Sequence, residues 1–380
     1  MPVTLTSEQA DLAAAIGEFA RREVPDKAAR DRLTHDGAEP HSQELYRKMA
    51  DLGWLGIALP EEYGGAGGSM TDLLVFLEQT SYHQAPIGGF GTTIITAAAI
   101  EKFGSEAQKE ELLGGVCRGD VLAISMSEPG AGSDVGGLTC KAEKADDGWV
   151  INGQKTWCSN AHIASHILLI ARTSTEGGKH EGLTMFVVPT DVDGLQITGI
   201  DTMGGKEVND LYFTDCHLPA DAVVGTEGQG WRQLMAGLNL ERMILAGLML
   251  GLGRRAFDDT VAYVKERKQF GRPVGSFQAM RHRIADNATE LAATTLLVHD
   301  TAHTIDASPG ALFPREASMA KLKATELAKH LSLEGMQMLG GYGYATEYGM
   351  ERLLRLSVVS TVYGGTSEIQ RDIIGKSYGL

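Results

Sequence analysis

GWVINGQKTW (148–157), SHILLIART (165–173), GLTMFVVP (182–189) and NDLYFTDCHLP (209–219) set one stretch of this chain apart from the rest. Each is short, rich in Val, Ile, Thr and aromatic residues, and bounded by Gly, Asp or Pro, the signature of a β-strand. Together they predict a compact, antiparallel β-domain over about 120–225. On both sides the texture is helical. Upstream, Thr6 and Gln9 form a capping box ahead of the periodic run Leu12, Ile16, Phe19. Helices are expected near 41–53, 70–83, 90–103 and 105–118, with the Gly-rich break PEEYGGAGGS (60–69) among them. Downstream, four long helical segments cover roughly 229–268, 274–306, 314–340 and 349–376. The fold class is therefore α+β: an N-terminal helical domain (1–119), a middle antiparallel β-domain (120–227) and a C-terminal four-helix-bundle domain (228–380).

The 380 residues carry 34 basic against 49 acidic side chains, a formal net charge of −15. That balance speaks against a nucleic-acid partner or an anionic membrane surface, both of which need a basic field. No apolar run approaches 18 residues free of charge, so no membrane span is expected. Cys117, Cys140, Cys158 and Cys216 lack metal-site or disulfide spacing. With no secretory or transit signal evident at MPVTLTSEQADLAAAI, the expectation is a soluble cytoplasmic enzyme.

Generic motifs fail on context. GLGRRA (251–256) fits a dinucleotide fingerprint but follows no strand. Of two i,i+4 histidine pairs, His162/His166 falls where strand texture begins. His299/His303 lies on a helix and reads as a solvated face, so no metal is expected. More informative is SMSEPGAGSDVGG (125–137), where Ser125, Ser127 and Ser133 surround a PGAG turn at a helix-to-strand boundary. Backbone N–H groups and short hydroxyls there suit a phosphate or a polar ring edge, and equally an ordinary turn. KTWCSNA (155–161) sets a Trp before small polar residues, either a plate for a flat ligand or a core Trp. In ERKQFGRPVGSFQAMRHRIAD (266–286) the helix is expected to end at Phe270 and restart near Ser276. Its arginines suit a pyrophosphate. MQMLGGYGYATEYGMERLLR (336–355) and VYGGTSEIQR (362–371) break helical texture with glycines, and Thr366 can cap the last helix, whose N-terminus can face an anion.

Five of these segments, in this order and spacing, resemble the acyl-CoA dehydrogenase family over nearly the whole chain. The resemblance implies the helix–β–helix fold and noncovalently bound FAD. It places Met126, Ser127, Ser133, Trp157 and Ser159 beside the flavin. Arg267, Phe270 and Gln278 match a third FAD-binding segment, Gln337 and Gly341 a fourth, and Thr366 and Glu368 a fifth. It puts Ser133, Asn239, Arg242, Gly364 and Gly365 on the acyl-CoA side. It further implies hydride transfer to flavin N5 to give a trans-2-enoyl-CoA and an electron-transfer flavoprotein as acceptor. It also implies fatty-acid β-oxidation as the setting and a homotetramer whose subunits share residues at the flavin. Three positions depart from the common pattern: Ser159 for Thr, Leu356 where Asp often follows Arg, and Gly364 where most members carry the catalytic Glu.

Gly364 raises a second reading, a non-catalytic or repurposed acyl-CoA-binding flavoprotein. A third is an acyl-CoA oxidase or flavin monooxygenase on the same fold. The helix from Trp231 supplies a replacement base. Trp231, Leu234, Met235, Leu238, Leu245, Leu248, Met249 and Leu252 trace one apolar stripe, and continuing it from Leu238 lands on Glu241 and Arg242. A carboxylate on an apolar face is part of a buried ion pair, part of a slightly rotated, solvated pair, or a base whose pKa burial raises while Arg242 pushes it back down. The isovaleryl-CoA and long-chain branches carry their Glu on this helix in an L-x-x-E-R segment like LNLER (238–242), with a small residue at the place of Gly364. Glu241 is therefore the expected catalytic base.

Overall fold

The computed structural model describes residues 3–380. Six helices come first: α1 (Ser7–Glu23), α2 (Lys27–Leu33), α3 (Gln43–Asp51), α4 (Met70–Tyr82), α5 (Gly89–Phe103) and α6 (Glu106–Cys117). Strands follow: β1 (Leu122–Ser125), β2 (Lys141–Ala145), β3 (Gly148–Ser159), β4 (His166–Arg172), β5 (Leu183–Pro189), β6 (Leu195–Thr202), β7 (Gly205–Pro219) and β8 (Val223–Val224). Then come α7 (Gly230–Glu266), the small β9 (Lys268–Gln269) and β10 (Arg272–Pro273), α8 (Gln278–Asp306), α9 (Pro314–Leu339), α10 (Gly341–Tyr344), α11 (Met350–Ser360) and α12 (Ser367–Lys376). The capping box that opens α1 is present: Gln9 N–H donates to Thr6 Oγ1, and Thr6 N–H donates to Gln9 Oε1.

By contact the chain forms two units, which cut across the three stretches drawn on texture. One gathers the N-terminal residues through Arg30, Ser69–Ala85 and Asn239–Leu380; the other holds Asp31–Gly68 and Pro86–Leu238. In the first, α4 joins the C-terminal helices around a core that includes Leu74, Met243, Leu250, Val298, Ala320, Leu331 and Leu353. α7 is, among the described residues, the helix long and apolar enough to cross a membrane by composition. Its apolar residues Met243, Ala246, Leu250 and Leu252 are core residues of this unit, as expected of a central helix.

The second unit is built on a sheet of order β6-β7-β3-β2-β4-β5-β8, with β1 beside β4. It is antiparallel except that β1 and β2 pair with β4 in parallel. Leu168, Ile170, Leu183 and Met185 pack with Ala97, Ile100, Leu113 and Val116 of α5 and α6 in its core.

Three expectations need correcting. The helix before the arginine-rich turn stops at Glu266, not Phe270. Phe270 and Gly271 have φ of 53° and 78°, and they join β9 to β10, as in a two-residue hairpin turn that needs two positive φ angles. The last helical segment is two helices, broken at 361–366. His299 does not lie on a solvated face. It is buried, and its Nε2 meets Glu78 Oε2 at 2.9 Å, while Arg254 also pairs with Glu78.

Candidate active site

The sequence-predicted residues fall into groups. The first, in the unit that holds Asn239–Leu380, brings together Asn239, Glu241, Arg242, Gly364, Gly365, Thr366 and Glu368. Glu241 is half-buried on α7, one turn before the buried Leu245. Burial pushes its carboxyl above the ordinary carboxylate range, opposed by the charges of Arg242 and then Lys321. Arg242 is buried, but its Nη1 donates to Asn239 Oδ1 at 2.9 Å. Among the described residues no salt bridge joins it to Glu241, so the buried-ion-pair alternative is not what forms.

Gly364 lies opposite the Glu241 carboxylate. Between α11 and α12 the chain turns through Gly364 and Gly365, with φ of 60° and 78°. A β-carbon on Gly364 would lie 3.5 Å from Glu241 Oε1 and 2.2 Å from Leu245 Cδ1. The Glu241 carboxylate thus lies beside the space into which a side chain at 364 would extend. Leu245, one turn along α7, fills the rest. Gln370, buried on α12, holds the turn: its Nε2 donates to the Gly364 and Gly365 carbonyls, both at 3.0 Å. From beneath, Lys321 Nζ on α9 donates to Gly365 O at 2.8 Å. Thr366 caps α12, its Oγ1 accepting from Ile369 N–H at 3.3 Å. The Glu368 carboxyl is held low by its own backbone N–H and by the Thr366 hydroxyl.

A second group, in the sheet unit, holds Met126, Ser127, Ser133, Trp157 and Ser159. Two buried charges brace it. Lys155 Nζ donates to Met126 O at 2.9 Å and to Glu128 Oε1 at 2.8 Å. The same carboxylate accepts from the N–H groups of Thr139 and Cys140 and from the Thr139 hydroxyl. Thr156 N–H bonds Ser127 O at 2.9 Å, tying the two motifs together. The β3–β7 register slips between Lys155 and Cys158, a bulge at which Trp157 takes φ 59° and turns its indole outward, 59% exposed. Bulges re-aim a side chain next to a functional site, and such strain in a non-Gly residue persists where the surroundings over-determine it. An exposed indole in the same unit as the hydroxyls of Ser127, Ser133 and Ser159 suits a flat heteroaromatic ring.

Arg267, Phe270, Gln278, Gln337 and Gly341 make up the third group: the first two follow α7, Gln278 opens α8, Gln337 lies in the last turn of α9 and Gly341 opens α10. The Arg267 guanidinium lies 5.3 Å from the Tyr342 ring, joining two of the sequence segments. Phe270 is 93% exposed and meets Phe277 edge-on at 6.1 Å. An exposed cation among donors and aromatics fits a pyrophosphate and its attached groups. Sequence reasoning missed Lys321, Gln370 and the Lys155–Glu128 pair. The available signal for Lys321 was a lysine set in the small-residue stripe Ala317, Ala320, Ala324, Ala328 of α9.

A helix–sheet–helix chain with a half-buried carboxylate beside a glycine turn, and an exposed indole on a strand bulge, suits a flavoenzyme-like scaffold. Comparison with known proteins identifies it. The acyl-CoA dehydrogenase N-terminal domain matches residues 6–120, the middle domain 123–216 and the C-terminal domain 228–379. The mitochondrial isovaleryl-CoA dehydrogenase of Arabidopsis thaliana is 34% identical over 368 residues, covering 95% of this chain and 89% of its own. The crystal structure of an acyl-CoA dehydrogenase from Geobacillus kaustophilus superposes with a TM-score of 0.94 at 31% identity, covering 100% of both chains. The FAD complex of PigA superposes at 0.91 with 26% identity, also over 100% of each chain. The chain belongs to the acyl-CoA dehydrogenase family, a family of oxidoreductases.

Proposed function

We propose that this protein is an FAD-dependent acyl-CoA dehydrogenase that introduces a trans α,β double bond into an acyl-CoA thioester, with Glu241 as the general base. One observation carries the reading: the Glu241 carboxylate lies 3.5 Å from where Gly364 would bear a β-carbon. The position that lacks the family's usual Glu and the helix that carries an intruding one thus address the same space.

The residues assigned to FAD are Met126, Ser127, Ser133, Trp157 and Ser159, together with Arg267, Phe270, Gln278, Gln337, Gly341, Thr366 and Glu368. Bound there, FAD supplies the acceptor for the hydride that leaves the β-carbon. The chain does the rest. Glu241 takes the α-proton, which the thioester makes acidic. Its raised pKa brings it toward the range in which a carboxylate is an effective base at neutral pH. Asn239 holds Arg242 in place beside it. Leu245 covers one side of the carboxylate, and bound substrate would shield it further from water, which strengthens each charge interaction there. Electrons then pass to an electron-transfer flavoprotein, in a homotetramer whose subunits share the flavin-binding residues.

The test is to purify the protein and assay a panel of short, medium, long and branched acyl-CoAs with an artificial electron acceptor. The reading expects a yellow protein with about one FAD per chain and turnover of at least one thioester. A colourless protein that cannot be reconstituted, or an FAD-replete one that turns over no acyl-CoA, overturns it.

A further inference from the structure

Burying an ammonium group costs several kcal/mol unless something recovers it. Lys321 is wholly buried on α9, where one neutral donor would serve the Gly365 carbonyl equally well. Gln370 already bonds that carbonyl. A structural tie alone therefore does not account for a charge at this position.

The charges that reach Lys321 are Glu241 and Arg242 from α7, Glu326 from its own helix and Glu368 from α12. Glu326 is engaged by Arg371, whose Nη2 donates to both carboxylate oxygens. Glu368 is exposed and bonded by the first turn of α12. Arg242 is committed to Asn239. That leaves Glu241, the half-buried carboxylate on which Lys321 acts to favour the ionised form. Because the peptide unit is planar and trans, a carbonyl fixed from one side turns the following N–H to the other. Lys321 and Gln370 thus fix both peptides of the glycine turn beside Glu241.

We propose that Lys321 is a positioning residue for the dehydrogenation: its buried ammonium anchors, by the Gly365 carbonyl, the Gly364–Gly365 turn that the Glu241 carboxylate faces, and sets a fixed positive charge behind that turn. The inference rests on Glu241 being the base. Lys321 neither gives nor takes a proton in the step; the α-proton goes to Glu241 alone.

The experiment compares FAD-replete wild type with Lys321→Gln, Lys321→Met, Lys321→Arg and Gln370→Met, recording kcat against pH with one good acyl-CoA. Removing the cation leaves Glu241 harder to ionise. The acid limb of the profile should therefore move to higher pH, on the order of one unit, in both Lys321→Gln and Lys321→Met. Lys321→Arg should return the limb toward wild type. Gln370→Met removes an uncharged tie to the same turn and should lower the rate without moving the limb. If Lys321→Met does not fold, Lys321→Gln, which keeps a donor toward Gly365 O, carries the test. An unmoved limb in folded Lys321→Gln, or an equal move in Gln370→Met, overturns the proposal. Glu241→Gln separates the two readings. Near-normal turnover there removes the base assignment itself. Lost turnover there with an unmoved limb in Lys321→Gln removes only the role of Lys321.

Discussion

Moving the carboxylate from Glu241 to position 364 is the perturbation whose outcome the geometry constrains most. In Glu241→Gly/Gly364→Glu the new side chain must start from a backbone φ of 60°, which costs an L-residue about 1–2 kcal/mol. Its β-carbon would also fall 2.2 Å from Leu245 Cδ1, so Leu245 must leave a position where it is 7% exposed. The double variant should be several degrees less thermostable than Glu241→Gly alone and regain little activity. Adding Leu245→Ala clears the space, at about 2–5 kcal/mol for a buried Leu-to-Ala change. That triple variant should be the more active of the two and the less stable. The assay pairs thermal melts of FAD-replete protein with acyl-CoA turnover. A double variant as stable and as active as wild type would show that neither the φ nor Leu245 constrains position 364. A folded, FAD-replete triple variant with no activity would refute the idea that this space is where the proton is removed.

Lys155→Met should destabilise the sheet unit by about 3–5 kcal/mol, because it strands the buried Glu128 carboxylate; denaturant melts read this, and Lys155→Met/Glu128→Gln should recover part of the loss. Trp157→Asn should leave the stability of apo-protein unchanged or raise it by about 1 kcal/mol, since Asn tolerates a left-handed backbone and the indole is largely exposed. The same change should alter the FAD spectrum and slow turnover. Burial lowers the Lys321 ammonium from its ordinary 10.5 to about 8. Between those values the unfolded chain binds more protons, so this residue makes stability rise with pH through that window, by about 3 kcal/mol in all. Lys321→Gln should lack that rise in melts run from neutral to alkaline pH.

Local signals made much of this legible in advance. The capping box at Thr6 and Gln9 is a four-residue pattern, and β3, β4, β5 and β7 are written in Val, Ile, Thr and aromatic runs. β2 was not legible: KAEKA buries only Ala142 and is a strand because β3 pairs with it. The Trp157 bulge depends on the register of β7 and leaves no mark in KTWCSNA. His299 read as solvated because its partner Glu78 lies 221 residues away. Lys321 was missed although it sits in an alanine-rich stripe, because its acceptor Gly365 is 44 residues downstream, and only the fold sets the two together. The place of Glu241 opposite Gly364 was signalled locally: a carboxylate on an apolar stripe is an anomaly, and so is the missing Glu at 364.

The most direct test of the central claim is the turnover of FAD-replete Glu241→Gln with a saturating, well-accepted acyl-CoA. Gln keeps the shape of Glu and cannot accept the proton. If Glu241 is the base, FAD and acyl-CoA still bind and kcat falls by roughly 10²-fold or more. Turnover within a few-fold of wild type would contradict the account.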